Sequence, residues 1–148
     1  MTSEKPKRRV FISFMVEDRK YADLMAAWSA NENDDFAMYD ERLKVAIDSR
    51  DADYIKSKLR PKIDRASVLV CLIGEKTSGS KWVNWEIEYA QNQDKRLVGV
   101  KLADNVARPS QVTGVGAIFV SYKKDEIQRA IEWAVTSTKK EKDWVFTN

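Results

Sequence analysis

Apolar positions along the chain fall into two rhythms: short continuous runs, and longer stretches in which they recur at helical spacing. RVFISF at residues 9–14 is apolar, β-branched and aromatic, which predicts a buried strand. RKYADLMAAWSA at 19–30 places Tyr21, Leu24, Met25 and Trp28 at helical spacing, and NENDD stops that helix. FAMYD at 36–40 predicts a short second strand, followed by a polar loop to about residue 50. DADYIKSKLRPKID reads as a helix with Tyr54, Ile55, Leu59 and Ile63 on one side. Pro61 is expected to kink or split it, because proline removes a hydrogen bond and clashes one turn back. SVLVCLIG at 67–74 is the strongest strand signal, apolar on both faces as a central parallel strand should be. A helix follows over about 81–93, then the strand RLVGVKL at 96–102. GVGA at 114–117 makes a turn before a fifth strand, AIFVSY at 117–122. The last helix, KDEIQRAIEWAVTST, turns Ile127, Ala130, Ile131 and Ala134 inward.

Strands alternating with helices predict an α/β fold: a flavodoxin-like three-layer sandwich around a five-stranded parallel sheet of order 2-1-3-4-5. Residues 1–8 form a basic tail, 9–138 the domain, and 139–148 a charged then aromatic tail without an assigned place. In such sheets ligands bind beyond the carboxyl ends of the strands, at the switch point between strands 1 and 3. The loops there are FMVEDRK and GEKTSGSKW.

The helix leaving the second loop contains an anomaly. At about 100° per residue, Trp82, Val83, Trp85, Ile87, Tyr89 and Ala90 share one arc, and Glu86 projects into its centre. Asn84, Glu88, Gln91 and Asn92 take the polar side. A buried carboxylate is costly unless it is paired, neutralised or used. An ion pair with Arg19 or Lys44 is the structural alternative; the position beside the switch point favours use.

Composition narrows the chemistry. In 148 residues, hydrophobic side chains are 43% and charged ones 33%, a globular balance for one domain. The net charge of +3 is spread over both signs, and KPKRR at 5–9 reads as a solvated tail, so no nucleic-acid partner is expected. No apolar stretch approaches the roughly 20 residues of a membrane span, and no signal peptide opens the chain, so the expected location is the cytoplasm with no membrane partner. There is no histidine, which removes Ser-His-Asp and Cys-His catalysis and histidine metal ligation. The single cysteine, Cys71, sits in an apolar run and reads as a packed small hydrophobe. No metal site is expected from histidine or cysteine, and any catalysis runs on carboxylates, hydroxyls or bound ions. The first loop has no glycine, so a dinucleotide fingerprint is missing, as is a Walker loop. Glu17 and Asp18 look like a receiver-domain acidic pair, but Ile73 and Gly74 stand where a receiver needs its aspartate.

The chain resembles a TIR domain of the bacterial TIR-like group. VFISFMVED is similar to the opening strand and loop of such domains, and Ser80, Trp82 and Glu86 match their Ser-x-Trp-x-x-x-Glu pattern. LIGEKT followed by SKWVNWEI looks most like the TIR-like enzymes of the Thoeris anti-phage system, and the resemblance covers about residues 9–135. One departure is YDERLKVAIDSRD, which lacks the proline-glycine pattern of animal TIR domains and speaks against receptor-style assembly through that loop. The resemblance implies an NAD+ glycohydrolase or cyclase making an ADP-ribose-type signal, with Glu86 catalytic. NAD+ is then substrate and no cofactor is required. It also implies a separate effector protein that senses the product, and assembly into a homo-oligomer. Phe14 and Trp82 are placed to offer a flat surface for nicotinamide or adenine, or are packing residues. Ser13 contacts substrate or satisfies backbone at the strand end. Asp18 touches ligand or caps the first helix. Asp40 touches ligand or caps a turn. The rival readings are a non-catalytic TIR-like interaction module and a hydrolase of other nucleotide N-glycosidic bonds.

Overall fold

The computed structural model describes residues 7–31, 36, 38–40, 51–109, 111, 116–137 and 144–145. Strands β1 (Arg8–Ser13), β2 (Met38–Asp40), β3 (Val68–Ile73), β4 (Arg96–Lys101), β5 (Ile118–Ser121) and β6 (Trp144–Val145) form one sheet. Their order is β2-β1-β3-β4-β5-β6, with every pair parallel. Helices α1 (Arg19–Ala30), α2 (Ala52–Arg65), α3 (Lys81–Asn92) and α4 (Lys124–Thr136) alternate with the strands. The order of the first five strands is the one expected. The strand count is corrected to six among the described residues, because Trp144–Val145, in the segment read as a tail, pairs with Ile118 and Phe119 of β5. A two-residue strand is too short to leave a periodic signal in sequence.

Alternation along the strands builds two cores. Val10, Ile12, Val68, Val70, Leu72, Val98 and Val100 face α1 and α4, whose Ala22, Met25, Ile127 and Ile131 cover them. Phe11, Leu69, Cys71 and Ile73 face α2 and α3, covered by Leu59, Ile63, Val83, Ile87 and Ala90. All six residues of β3 are buried, since helices lie on both of its faces. The layers are thus helix, sheet, helix.

Three local expectations are corrected. Helix α2 runs unbroken through Pro61. The carbonyl one turn back, on Ser57, belongs to an exposed residue as Pro61 does, so water can satisfy the bond that proline removes. Leu24, expected inward, is 45% exposed, and Tyr54 is 47% exposed. The inward lines of their helices are Ala22 with Met25 and Leu59 with Ile63, small or aliphatic residues that fit close against a sheet. The turn expected at GVGA is described only at its end, where Gly116 takes φ 82°, a conformation that costs glycine nothing. Trp28 and Trp133 are half-buried against the α1/α4 core. The loop at 41–50, including Lys44, lies outside the described residues, as does the side chain of Trp144.

Candidate active site

The chain passes from β1 outward to β2 and then back across to β3, so the loops leaving β1 and β3 diverge at their carboxyl ends. Two devices fix where α3 starts from this point. Thr77, buried in the loop after β3, takes the Gly74 N–H on its Oγ1 at 2.8 Å and donates to the Leu72 carbonyl at 3.3 Å. Ser80 then caps α3, its side chain accepting the Val83 N–H at 3.1 Å. A serine cap sets the helix phase, and that phase aims Glu86, in the second turn, at the end of β1.

There Glu86 meets Ser13. The Ser13 hydroxyl donates to Glu86 Oε1 at 2.7 Å. Ser13 is 1% exposed, while Glu86 is half-buried. Among the described residues no cation pairs with Glu86: Arg19 instead lies 3.6 Å from Asp23, one turn along its own helix. Burial pushes the Glu86 carboxyl up to about 8, against the downward pull of the Ser13 hydrogen bond. Cys71, the register partner of Ser13 on β3, lies on the same face. Burial, with Glu86 adding to it, holds its thiol well above the usual range, so it stays neutral.

Asp18 stands at the N-cap position of α1 but makes no capping hydrogen bond. Its carboxylate is instead pressed against Gly74: a Cβ on Gly74 would fall 2.4 Å from Asp18 Oδ2. Only glycine permits that approach. Asp18 Oδ2 is buried without a hydrogen-bond partner. Burial, and Glu17 and Glu75 nearby, raise this carboxyl, while Lys20 lowers it.

The other candidate residues are more dispersed. Trp82, 37% exposed, meets Trp85 edge-on at 6.1 Å between ring centroids. Trp85 stacks on Tyr89 at 5.4 Å and 14°, and Lys56 and Arg60 of α2 lie over the Trp85 ring at 5.5 and 5.9 Å. The aromatic edge of α3 thus serves its junction with α2. Phe14 packs against the α1/α4 core, on the face of the sheet opposite α3, so its ring and that of Trp82 do not form one continuous wall. Asp40 ends β2 in register with Val10, three residues, or about 10 Å, short of Ser13 along the strand direction. Its side chain lies outside the described residues.

Two participants were missed in the sequence. In the sequence Gly74 counts only against a receiver domain, and Thr77 is one hydroxyl among several in its loop. Asn84, expected on the polar side, is half-buried and donates to the Ser78 carbonyl at 3.1 Å, with its Oδ1 buried and unpartnered. A threonine three residues after a strand-ending glycine was the available signal for the loop. Among the described residues no group of three or more acidic or cysteine side chains is arranged to hold a metal ion, and no helix is long and apolar enough to cross a membrane.

Residues 11–107, the span holding Ser13, Asp18, Gly74 and Glu86, match the family model described as Thoeris protein ThsB, TIR-like domain. No curated protein matches the sequence. Among solved structures, the chain is similar to Clostridium botulinum CMP N-glycosidase, BcmB, with a TM-score of 0.55 and 12% identity over 84% of this chain and 98% of that one. That likeness is one of fold. The TIR domains of the activated Roq1 resistosome directly recognizing the pathogen effector XopQ give a TM-score of 0.47 and 16% identity, over 67% of this chain and 60% of that one.

Proposed function

The chain belongs to the Thoeris ThsB family of TIR-like domains, and on that premise we propose that it cleaves the nicotinamide–ribose bond of NAD+, with Glu86 as the catalytic carboxylate, to make an ADP-ribose-type signal in anti-phage defence. The observation that carries this reading is a half-buried glutamate at the switch point, held by one serine and matched by no cation among the described residues. Such a group is expensive to keep in a domain that only binds partners. It is useful where the substrate brings the positive charge.

Nicotinamide in NAD+ is a cationic leaving group. When the C–N bond breaks, its electron pair goes to the ring nitrogen and nicotinamide departs neutral, so no general acid is needed. Positive charge then develops on the ribose, and an ionised Glu86 stabilises it more strongly in a dry site than in water. Water adds to the ribose cation and its proton leaves through Glu86 or solvent, giving ADP-ribose. An adenine nitrogen or a ribose hydroxyl in place of water gives a cyclic product. Trp82 offers an open ring for stacking, Asp18 Oδ2 an unfilled acceptor for a hydroxyl, and Phe14 and Asp40 are the flanking contacts of this reading. A separate effector reads the product, and the active form is a homo-oligomer.

One observation favours a second reading. A carboxyl held up to about 8 is mostly protonated at neutral pH, which suits a general acid for a neutral base. On this same fold, BcmB is named for acting on CMP. Hydrolysis of a nucleotide with a neutral base is therefore the alternative.

The two are separated by supplying NAD+ and CMP to wild type and Glu86→Gln and following products by chromatography and mass spectrometry. The expected result is NAD+ consumption, reduced at least about a hundredfold in the variant. kcat/KM should rise with pH through about 8 and level above it, because the ionised form is the active one. A rate that falls through the same range, with CMP consumed, would transfer the assignment to acid catalysis. No turnover of either substrate, even at high protein concentration, would leave an interaction module.

A further inference from the structure

We propose that Ser13 is a positioning residue for Glu86: its buried hydroxyl, donated across the junction of β1 and α3, holds the carboxyl in its working orientation and favours its charged form, and does not touch substrate. The inference rests on the reading of Glu86 as the catalytic carboxylate.

Access argues first. At 1% exposure Ser13 is closed to a ligand, whereas its partner Glu86 is not fully covered. A hydroxyl that cannot be reached can act only through what it touches, and what it touches is Glu86 Oε1 at 2.7 Å. Rigidity argues second. Ser13 ends β1 and is paired in register with Cys71 of β3, so the donor is fixed by the sheet and not by a loop. The Glu86 side chain, rooted one and a half turns into α3, is thereby tied to the strand that faces the substrate end.

Among the described residues, no other group shares this task with Ser13. From β3, Cys71 faces the site with a thiol that stays neutral. From α3 itself, Val83 and Ile87 are apolar and buried. From α2, Lys56 and Arg60 are engaged over the Trp85 ring. From the loops, Asp18 is packed on Gly74, and Glu75 is exposed. A hydroxyl donates more strongly to a carboxylate than to a neutral acid, so Ser13 opposes the burial that keeps Glu86 protonated.

The test compares wild type with Ser13→Ala and with Ser13→Cys, whose thiol is nearly isosteric and a weak donor. The Glu86 carboxyl is titrated directly by NMR of labelled glutamate carboxyl carbons, its signal identified by loss in Glu86→Gln. In parallel, kcat and KM for NAD+ are followed against pH. The expected result is a titration midpoint that rises from wild type to Ser13→Cys to Ser13→Ala. The rising limb of the rate profile should move with it, with kcat at pH 7 down about tenfold to a hundredfold in Ser13→Ala and KM little changed. An unmoved midpoint, or a rise in KM with kcat intact, overturns the proposal and makes Ser13 a substrate contact or a packing residue. The carboxyl titration needs no turnover. A midpoint that moves in a protein that leaves NAD+ intact therefore upholds the Ser13–Glu86 coupling and removes the NAD+ reading instead.

Discussion

At the scale of the residue, Glu86 sets function against stability. Its carboxyl keeps a proton in the folded protein up to about 8, while an unfolded glutamate loses it near 4.5. Between those values the folded state binds more protons than the unfolded one, so stability falls as pH rises and levels off above about 8. Glu86→Gln keeps the shape and an acceptor for Ser13 but removes this titration. The variant should gain on the wild type progressively from pH 5 to 8, by an amount on the order of 2–4 kcal/mol, with no further gain at higher pH. Urea unfolding of both proteins at pH 5, 7 and 9 measures it, and a stability difference independent of pH would mean that the carboxyl is already paired or solvated. The anomaly itself was legible in the sequence, since a single glutamate inside an apolar arc violates the helical period. Its partner was not. Ser13 and Glu86 are 73 positions apart, and no local pattern relates a strand-end serine to a helix in another unit of the fold.

At the scale of the element, the start of α3 and its loop decide where the chemistry sits. Ser80 supplies the cap and Thr77 ties Gly74 to Leu72, so the loop after β3 is held by side chains as well as by backbone. Gly74 has the further task of making room for Asp18, and a methyl group there must push that carboxylate aside. Gly74→Ala is therefore expected to fold, at a cost of about 1–2 kcal/mol because the displaced group is the end of a short side chain. It should raise KM for NAD+ by roughly tenfold, as loss of one good hydrogen bond would. Asp18→Ala should give a similar rise, and the double variant little more than either alone, because both act on one contact. Additive effects in steady-state kinetics would separate the two residues. The serine of the helix motif was readable as a cap from its type and place. Asp18 was readable equally as a cap or a contact, and packing against a distant glycine chose neither role by sequence rule.

At the scale of the whole molecule, β5 is flanked on its outer side by β6, which comes from the far end of the chain. An uncovered parallel strand exposes a row of unpaired backbone groups and invites other chains. Removing residues 138–148 should lower stability by about 1 kcal/mol and promote concentration-dependent association beyond that of the full chain. Sedimentation velocity across a concentration series, paired with thermal unfolding, would reveal it; unchanged behaviour would mean that the β5 edge is protected without β6. Within the sequence, the alternating strand and helix patterns were enough to indicate an α/β fold with a parallel sheet, because burial on both faces dictates apolar runs, and the order expected for such a fold is that of the first five strands. The lack of histidine and the misplaced Glu86 also limited the chemistry before any coordinates. Tertiary structure alone decided that Ser13 is the residue holding Glu86, that Asp18 lies on Gly74, that α2 continues through Pro61, and that a sixth strand extends the sheet beyond β5. The run through Pro61 depends on that side of α2 being left to solvent; the others depend on which surfaces meet across long stretches of chain, and a hydrogen bond or close approach between such surfaces leaves no period in the sequence to be read.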